Sequence, residues 1–112
     1  MLSDLTEARK KIENKVNWTK GALAKDMRNR VVNMLSPNAC KWCALGAIGT
    51  TFCPESTVEL LRQSAKELFD LRVQDVNDFL GYEAVLVMYD HAIEIYKEEE
   101  CTIRYSWRGT DA

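Results

Sequence analysis

The stretch Ser36-Pro37-Asn38-Ala39-Cys40-Lys41-Trp42-Cys43-Ala44-Leu45-Gly46-Ala47-Ile48 decides how the rest of the chain is arranged. Serine at a cap with proline in the first helical position is a common helix opening, since the amide that proline lacks has no intrahelical partner there. From Ala39 to Ile48 the one charge is Lys41, so the pattern predicts a helix to about Ile48 that is apolar on every side and therefore buried. A second block centred on a tryptophan, Asn17-Trp18-Thr19-Lys20-Gly21-Ala22-Leu23-Ala24-Lys25-Asp26, precedes it. The two blocks together mark the expected centre of the fold.

Upstream, Leu5, Ala8, Ile12 and Val16 recur at three- and four-residue spacing and predict a helix from Asp4 to about Val16. Asn17 as a cap predicts a short helix to Met27, weakened by Gly21 and therefore dependent on tertiary contacts. Residues 28–35 fit either an extended piece or a buried connector. Downstream, Ser56 to Glu59 is a capping-box pattern opening a helix to about Asp70, with Val58, Leu61, Ala65 and Leu68 on its apolar side. A loop is expected from Leu71 to Gly81, turning Val73, Val76 and Phe79 inward. A long helix follows from Tyr82 to about Glu99, with Val85, Tyr89, Ala92, Ile93 and Tyr96 on one stripe. The tail from Cys101 alternates like a strand, either pairing near Val31 or lying as an arm. The expected architecture is mainly α: one compact domain of about five helices over residues 1–100, packed around a buried Ala/Gly/Cys-rich helix, with a C-terminal arm at 101–112.

The 112 residues, 46% of them apolar, supply one continuous core. No apolar run approaches the roughly 20 residues a bilayer span needs, and the N-terminus has no signal-peptide pattern, so a cytoplasmic protein without membrane contact is expected. Four cysteines in that compartment are expected to be reduced thiols. Net charge is −2, but residues 1–53 hold nine bases and four acids while the remainder holds six bases and thirteen acids. This asymmetry fits either two halves that complement each other or a charged partner.

Few groupings carry chemical spacing. Cys40-x-x-Cys43 fits small core residues, a metal pair or a dithiol; a structural metal site needs two more ligands, and no second pair exists. His91 is the single histidine and has no nucleophile placed beside it in sequence. Asp75 to Asp78 lacks the glycine and distal glutamate of a calcium loop. The glycines match no phosphate-binding pattern, and no cofactor is expected. Lys20, Lys25, Arg28 and Arg30 beside Trp18 suit a phosphate backbone, but a pI of about 5.4 disfavours nucleic acid.

Trp18, Gly21, Ala24 and Asp26, then Trp42, Cys43, Gly46 and Ala47, resemble the W-x-x-G-x-x-A-x-D and W-C-x-x-G-A elements of an uncharacterised family of small bacterial and phage proteins. Val76-Asn77-Asp78 is a third point of likeness, and the whole covers residues 5–95. The resemblance implies a compact helical domain and a phage or mobile-element origin, with no activity attached. Physically, Asp26, Asn77 and Asp78 are polar groups set among tryptophan blocks, and buried polar groups need partners. They form either a structural hydrogen-bond network or a pocket floored by Trp18 and Trp42. The favoured function is a non-enzymatic protein that binds and modulates a host macromolecule, most naturally a protein, with self-association left open. Arg104, Tyr105, Trp107 and Arg108 are its interface candidates, because Tyr, Trp and Arg dominate binding hot spots. The alternative is an enzyme or small-ligand binder using the pocket between the blocks.

Overall fold

The computed structural model describes residues 2–51 and 54–111, with side chains described for 3–51 and 55–99. Five α-helices are present among the described residues: α1 (Leu2–Lys11), α2 (Ala44–Gly49), α3 (Pro54–Phe69), the single turn α4 (Val73–Asp75) and α5 (Tyr82–Asp111). Two short strands, β1 (Ala24–Lys25) and β2 (Lys41–Trp42), pair antiparallel with Ala24 opposite Trp42. The mainly α expectation is met, and no helix among the described residues is long and apolar enough to cross a membrane.

α1, α3 and α5 pack around α2. Leu5 and Ala8 from α1 with Ile12 just beyond its end, Leu61 and Ala65 from α3, and Val85, Met88, Tyr89 and Ala92 from α5 close over Ala44, Ala47 and Ile48. Polar groups that this packing buries find partners across it. The Ser64 hydroxyl donates to the Met88 carbonyl at 2.6 Å, and the Tyr89 hydroxyl donates to the Ala44 carbonyl at 2.6 Å. At the rim, Arg9 ties α1 to α5 through both carboxylate oxygens of Asp90, at 2.7 and 3.3 Å.

The first half departs from the expected helices. α1 stops at Lys11 instead of Val16, because Asn14 turns its side chain onto the Val16 amide and starts a separate 3₁₀ turn, Lys15–Asn17, which leaves Val16 exposed. The helix expected over Asn17–Met27 is absent: Gly21 takes a φ of 81°, and the chain beyond it is extended. The reason is pairing with the second block. Cys43 donates its amide to the Leu23 carbonyl, Cys40 to Lys25, and Thr19 to the Trp42 carbonyl. Once residues 40–43 are extended, the long helix from Ser36 cannot form, and only Ala44–Gly49 coils. Ser36 and Pro37 instead make a turn, in which the Ser36 hydroxyl accepts from the Asn38 amide at 3.1 Å. Ser/Thr hydroxyls bond to nearby amides in turns as readily as at helix caps.

Two further expectations are corrected. The segment expected as a loop between α3 and α5 is α4 followed by a π-turn, Val76–Leu80, which buries Val73 and Val76 but exposes Phe79. The backbone of α5 continues helical to Asp111, so the tail is not the strand that its alternation offered, and Val31 bridges Lys25.

Candidate functional site

Asn77 is the polar centre around which the two tryptophan blocks are joined. The π-turn points its amide inward, where it is 1% exposed. Its Oδ1 accepts from the Trp18 indole at 2.8 Å and from the Ala44 amide at 2.9 Å. Its Nδ2 donates to the Thr19 carbonyl at 3.1 Å and to Asp78 Oδ1 at 3.0 Å. One side chain thereby fixes block one, caps the first amide of α2 and holds its own turn. Asp78 extends the link by accepting from the Gly21 amide at 3.1 Å. Edge-to-face packing of Trp18 on Tyr82, with centroids 5.8 Å apart, completes the seam to α5.

The second indole has a separate role. Trp42 donates Nε1 to the Met34 carbonyl at 3.0 Å, and Lys11 lies over its ring, 4.4 Å from the centroid. Asp26 does not join Asn77 and Asp78. Its Oδ1 accepts from the Arg28 and Arg30 amides, both at 2.9 Å, and its Oδ2 from Arg30 Nε at 3.1 Å. The Arg30 amide above all, with the Arg28 amide and the guanidinium, holds this carboxyl below the usual range. Asp26 is thus the clamp of a tight turn over residues 26–30.

A cavity of about 360 Å³ does lie between the blocks, bounded by Gly21–Leu23 on one side and by Cys43, Asp75, Asn77 and Asp78 on the other. Trp18, Trp42 and Asp26 are not part of its lining. Of the residues expected to line a pocket, the structure brings Asn77 and Asp78 to one cavity. Cys43 at its edge caps α2, its sulfur accepting from the Gly46 amide at 3.3 Å. A helix N-terminus favours the thiolate, but here burial outweighs it and pushes the Cys43 thiol up. Cys40 is half-buried on the pairing segment, its sulfur 3.7 Å from the Lys25 carbonyl oxygen. Cys40-x-x-Cys43 therefore spans a strand and a cap, not one helical face. The arrangement can hold a polar group in the cavity; its thiol is not poised as a nucleophile.

His91 bridges α5 to α3, with Nε2 2.8 Å from Glu67, whose carboxyl it holds below the usual range. The side chains of Arg104, Tyr105, Trp107 and Arg108 lie outside the described residues.

The surface with the least structural explanation is residues 20–41. Met27 is 88% exposed, Val31 71% and Leu35 67%, within a segment carrying Lys20, Lys25, Arg28, Arg30 and Lys41 against the single acid Asp26. The basic residues were legible in sequence as a phosphate-type patch. The exposure of the apolar ones was not, because Met27 was read as the end of a helix that does not form and residues 28–35 fitted a buried connector as well as an extended piece. No protein family, curated protein or solved structure matches this chain.

Proposed function

We propose that this protein is a small non-enzymatic interaction protein that binds another protein through residues 20–41. The observation that carries the reading is the exposure of Met27, Val31 and Leu35 on a segment whose turns are rigidly held. Asp26 clamps 26–30, the Val32 amide donates to the Ala24 carbonyl at 3.2 Å, and Asn33 accepts from the Leu35 amide at 2.9 Å. A pre-ordered loop binds with less entropy loss than a floppy one. Exposed apolar groups ringed by cations suit a partner with an apolar patch and an acidic rim, and opposite charge speeds encounter. On the family resemblance alone, that partner would be a protein of a bacterial host.

The test compares capture of binding proteins by the full chain, by a Met27→Ser/Val31→Ser/Leu35→Ser variant and by a chain ending at residue 99. Hot-spot truncation costs about 2 kcal/mol or more, roughly thirtyfold in affinity. The triple variant should therefore lose the partner while the truncated chain keeps it. Loss on truncation alone would move the interface to the tail with Arg104, Tyr105, Trp107 and Arg108. A second reading, a small-ligand site, is favoured by the cavity beside Asn77 and Asp78; an Asp78→Asn variant that folds normally yet loses a bound small molecule would support it.

A further inference from the structure

The cations of this chain are not compensated evenly over its surface. Arg62 donates to Glu59 at 2.6 Å, Lys66 to Asp70, and Arg72 to both oxygens of Asp75 at 2.9 and 3.2 Å, so the bases around α3 and the turn into α4 are already paired. Residues 20–41 differ. Among the described residues the side chains of Lys20, Lys25 and Arg28 meet no carboxylate, and Lys41 donates to the neutral Asn29 side chain at 2.7 Å. Five bases against the single acid Asp26 leave this segment with a net charge of +4. The segment also has a hollow, a cavity of about 270 Å³ bounded mainly by Ala22, Leu23, Val31, Val32 and Met34. Leu23 and Val31, which wall it, are both exposed.

A surface complementary to this one lies elsewhere on the same chain. Phe79, in the π-turn, is 81% exposed, and Leu80 beside it and Val87 on α5 are exposed as well. Glu83, Val87, Asp90 and Glu94 recur at three- and four-residue spacing, so they share one face of α5. Arg9 pairs with Asp90, but Glu83 and Glu94 meet no lysine or arginine among the described residues. An exposed aromatic side chain beside an acidic helix face therefore matches an apolar hollow within a basic segment. Aromatic side chains seated in such pockets dominate binding energy. Like surfaces do not suit one another: loop on loop sets +4 against +4, and the α5 face on itself sets acid against acid, which opposes association. Phe79 does not line the hollow of its own chain, so the two features can meet only between copies.

We propose that residues 20–41 bind a second copy of this chain, with Phe79 of one copy entering the hollow walled by Leu23 and Val31 of the next. Glu83 and Glu94 then face Lys20, Lys25 and Arg28. The proposal rests on the reading of residues 20–41 as an interface and names its partner. Because the two surfaces differ, copies join head to tail, and growth stops only where a ring closes.

Sedimentation equilibrium of the full chain at rising concentration tests it, with the average mass expected to climb above the 12.8 kDa of one copy. Phe79→Ser, and separately Met27→Ser/Val31→Ser/Leu35→Ser, should each weaken association about thirtyfold or more. Circular dichroism should show both variants folded, since every side chain replaced is exposed. Mixed together, the two variants rebuild one intact contact, because one keeps Phe79 and the other keeps the hollow, and should form a 1:1 dimer that grows no further. Methyl NMR of Leu23 and Val31 should show concentration-dependent ring-current shifts that Phe79→Ser abolishes. Added salt should weaken association by screening the charges around the contact. A chain that stays monomeric into the millimolar range, association unchanged by Phe79→Ser, or a mixture that forms no dimer would overturn the proposal. If that monomeric chain still captures another protein through Met27, Val31 and Leu35, self-association is refuted and the interface reading survives. Self-association and capture that both ignore the triple substitution would refute the two together.

Discussion

Replacing Asn77 with alanine should destabilise the protein far more than its single side chain suggests. The substitution strips partners from the Trp18 indole, the Ala44 amide and the Thr19 carbonyl at once. A buried polar group left unpaired costs about 1–3 kcal/mol. Ala44 and Thr19 are both buried, so they carry the full cost, while half-buried Trp18 recovers part of it from water. The combined loss is about 3–5 kcal/mol, a large part of the roughly 5–15 kcal/mol that holds a domain folded. At about 4 °C per kcal/mol for a chain of this size, Tm should fall by about 12–20 °C. Asn77→Asp sharpens the test. It keeps the acceptor but sets a second oxygen against the Thr19 carbonyl and Asp78, so the new carboxyl should have a raised pKa in the folded state. A raised folded pKa means the stability cost is present at neutral pH and recedes as pH falls through that pKa, when the acid can donate again. Urea unfolding at pH 7 and pH 4.5 measures both effects. A loss under about 1 kcal/mol for the alanine variant, or an aspartate variant with no pH dependence, would refute the assignment of Asn77 as the joint of the two blocks.

Gly46→Ala should lower Tm even though alanine is the better helix former, because the added methyl would overlap the Leu23 carbonyl oxygen and sit 2.8 Å from its carbon. Overpacking against backbone costs about 1–3 kcal/mol, and an unchanged or raised melting temperature would show that β1 is not where we place it. Asp26→Ala should flatten the acid limb of stability: a carboxyl held below its ordinary pKa contributes above the unfolded value and is lost as pH falls, so the wild type alone should weaken on that account below about pH 4. Urea midpoints from pH 6 to pH 3 would check it, with parallel curves counting against the clamp. Thiol labelling mapped by mass spectrometry should modify Cys40 ahead of Cys43, whose burial raises its pKa. Equal rates at pH 7 would contradict that geometry.

α3 and the first five turns of α5 were legible in the sequence because each has an apolar stripe at helical spacing facing one core. Leu61 and Ala65 on one helix and Val85, Tyr89 and Ala92 on the other are buried where the periodicity placed them. Residues 17–43 were not legible, since Trp18, Leu23, Ala24, Cys40, Trp42 and Cys43 form two apolar runs that suit a helix or an extended segment equally. Periodicity cannot separate those states when the runs are short. At the site, the sequence pointed to Asn77 and Asp78 as polar groups in need of partners, and it grouped Asp26 with them because the three share a chemistry. It had no means of finding the Arg72–Asp75 pair at a cavity edge, since a surface pair three residues apart looks the same wherever it occurs.

Composition and periodicity by themselves determined a mainly helical chain with enough apolar material for one core and an uneven charge along its length. Tertiary structure alone decided the state of the two tryptophan blocks. Each block leaves backbone groups unpaired when taken alone, and they are satisfied by pairing Leu23 with Cys43 and Ala24 with Trp42. Asn77, 33 residues from Ala44 in the second block and 59 from Trp18 in the first, then locks the pair in place. A local pattern carries no information about a partner that distant, because the hydrogen bonds that choose strand over helix exist only once the chain has folded back on itself.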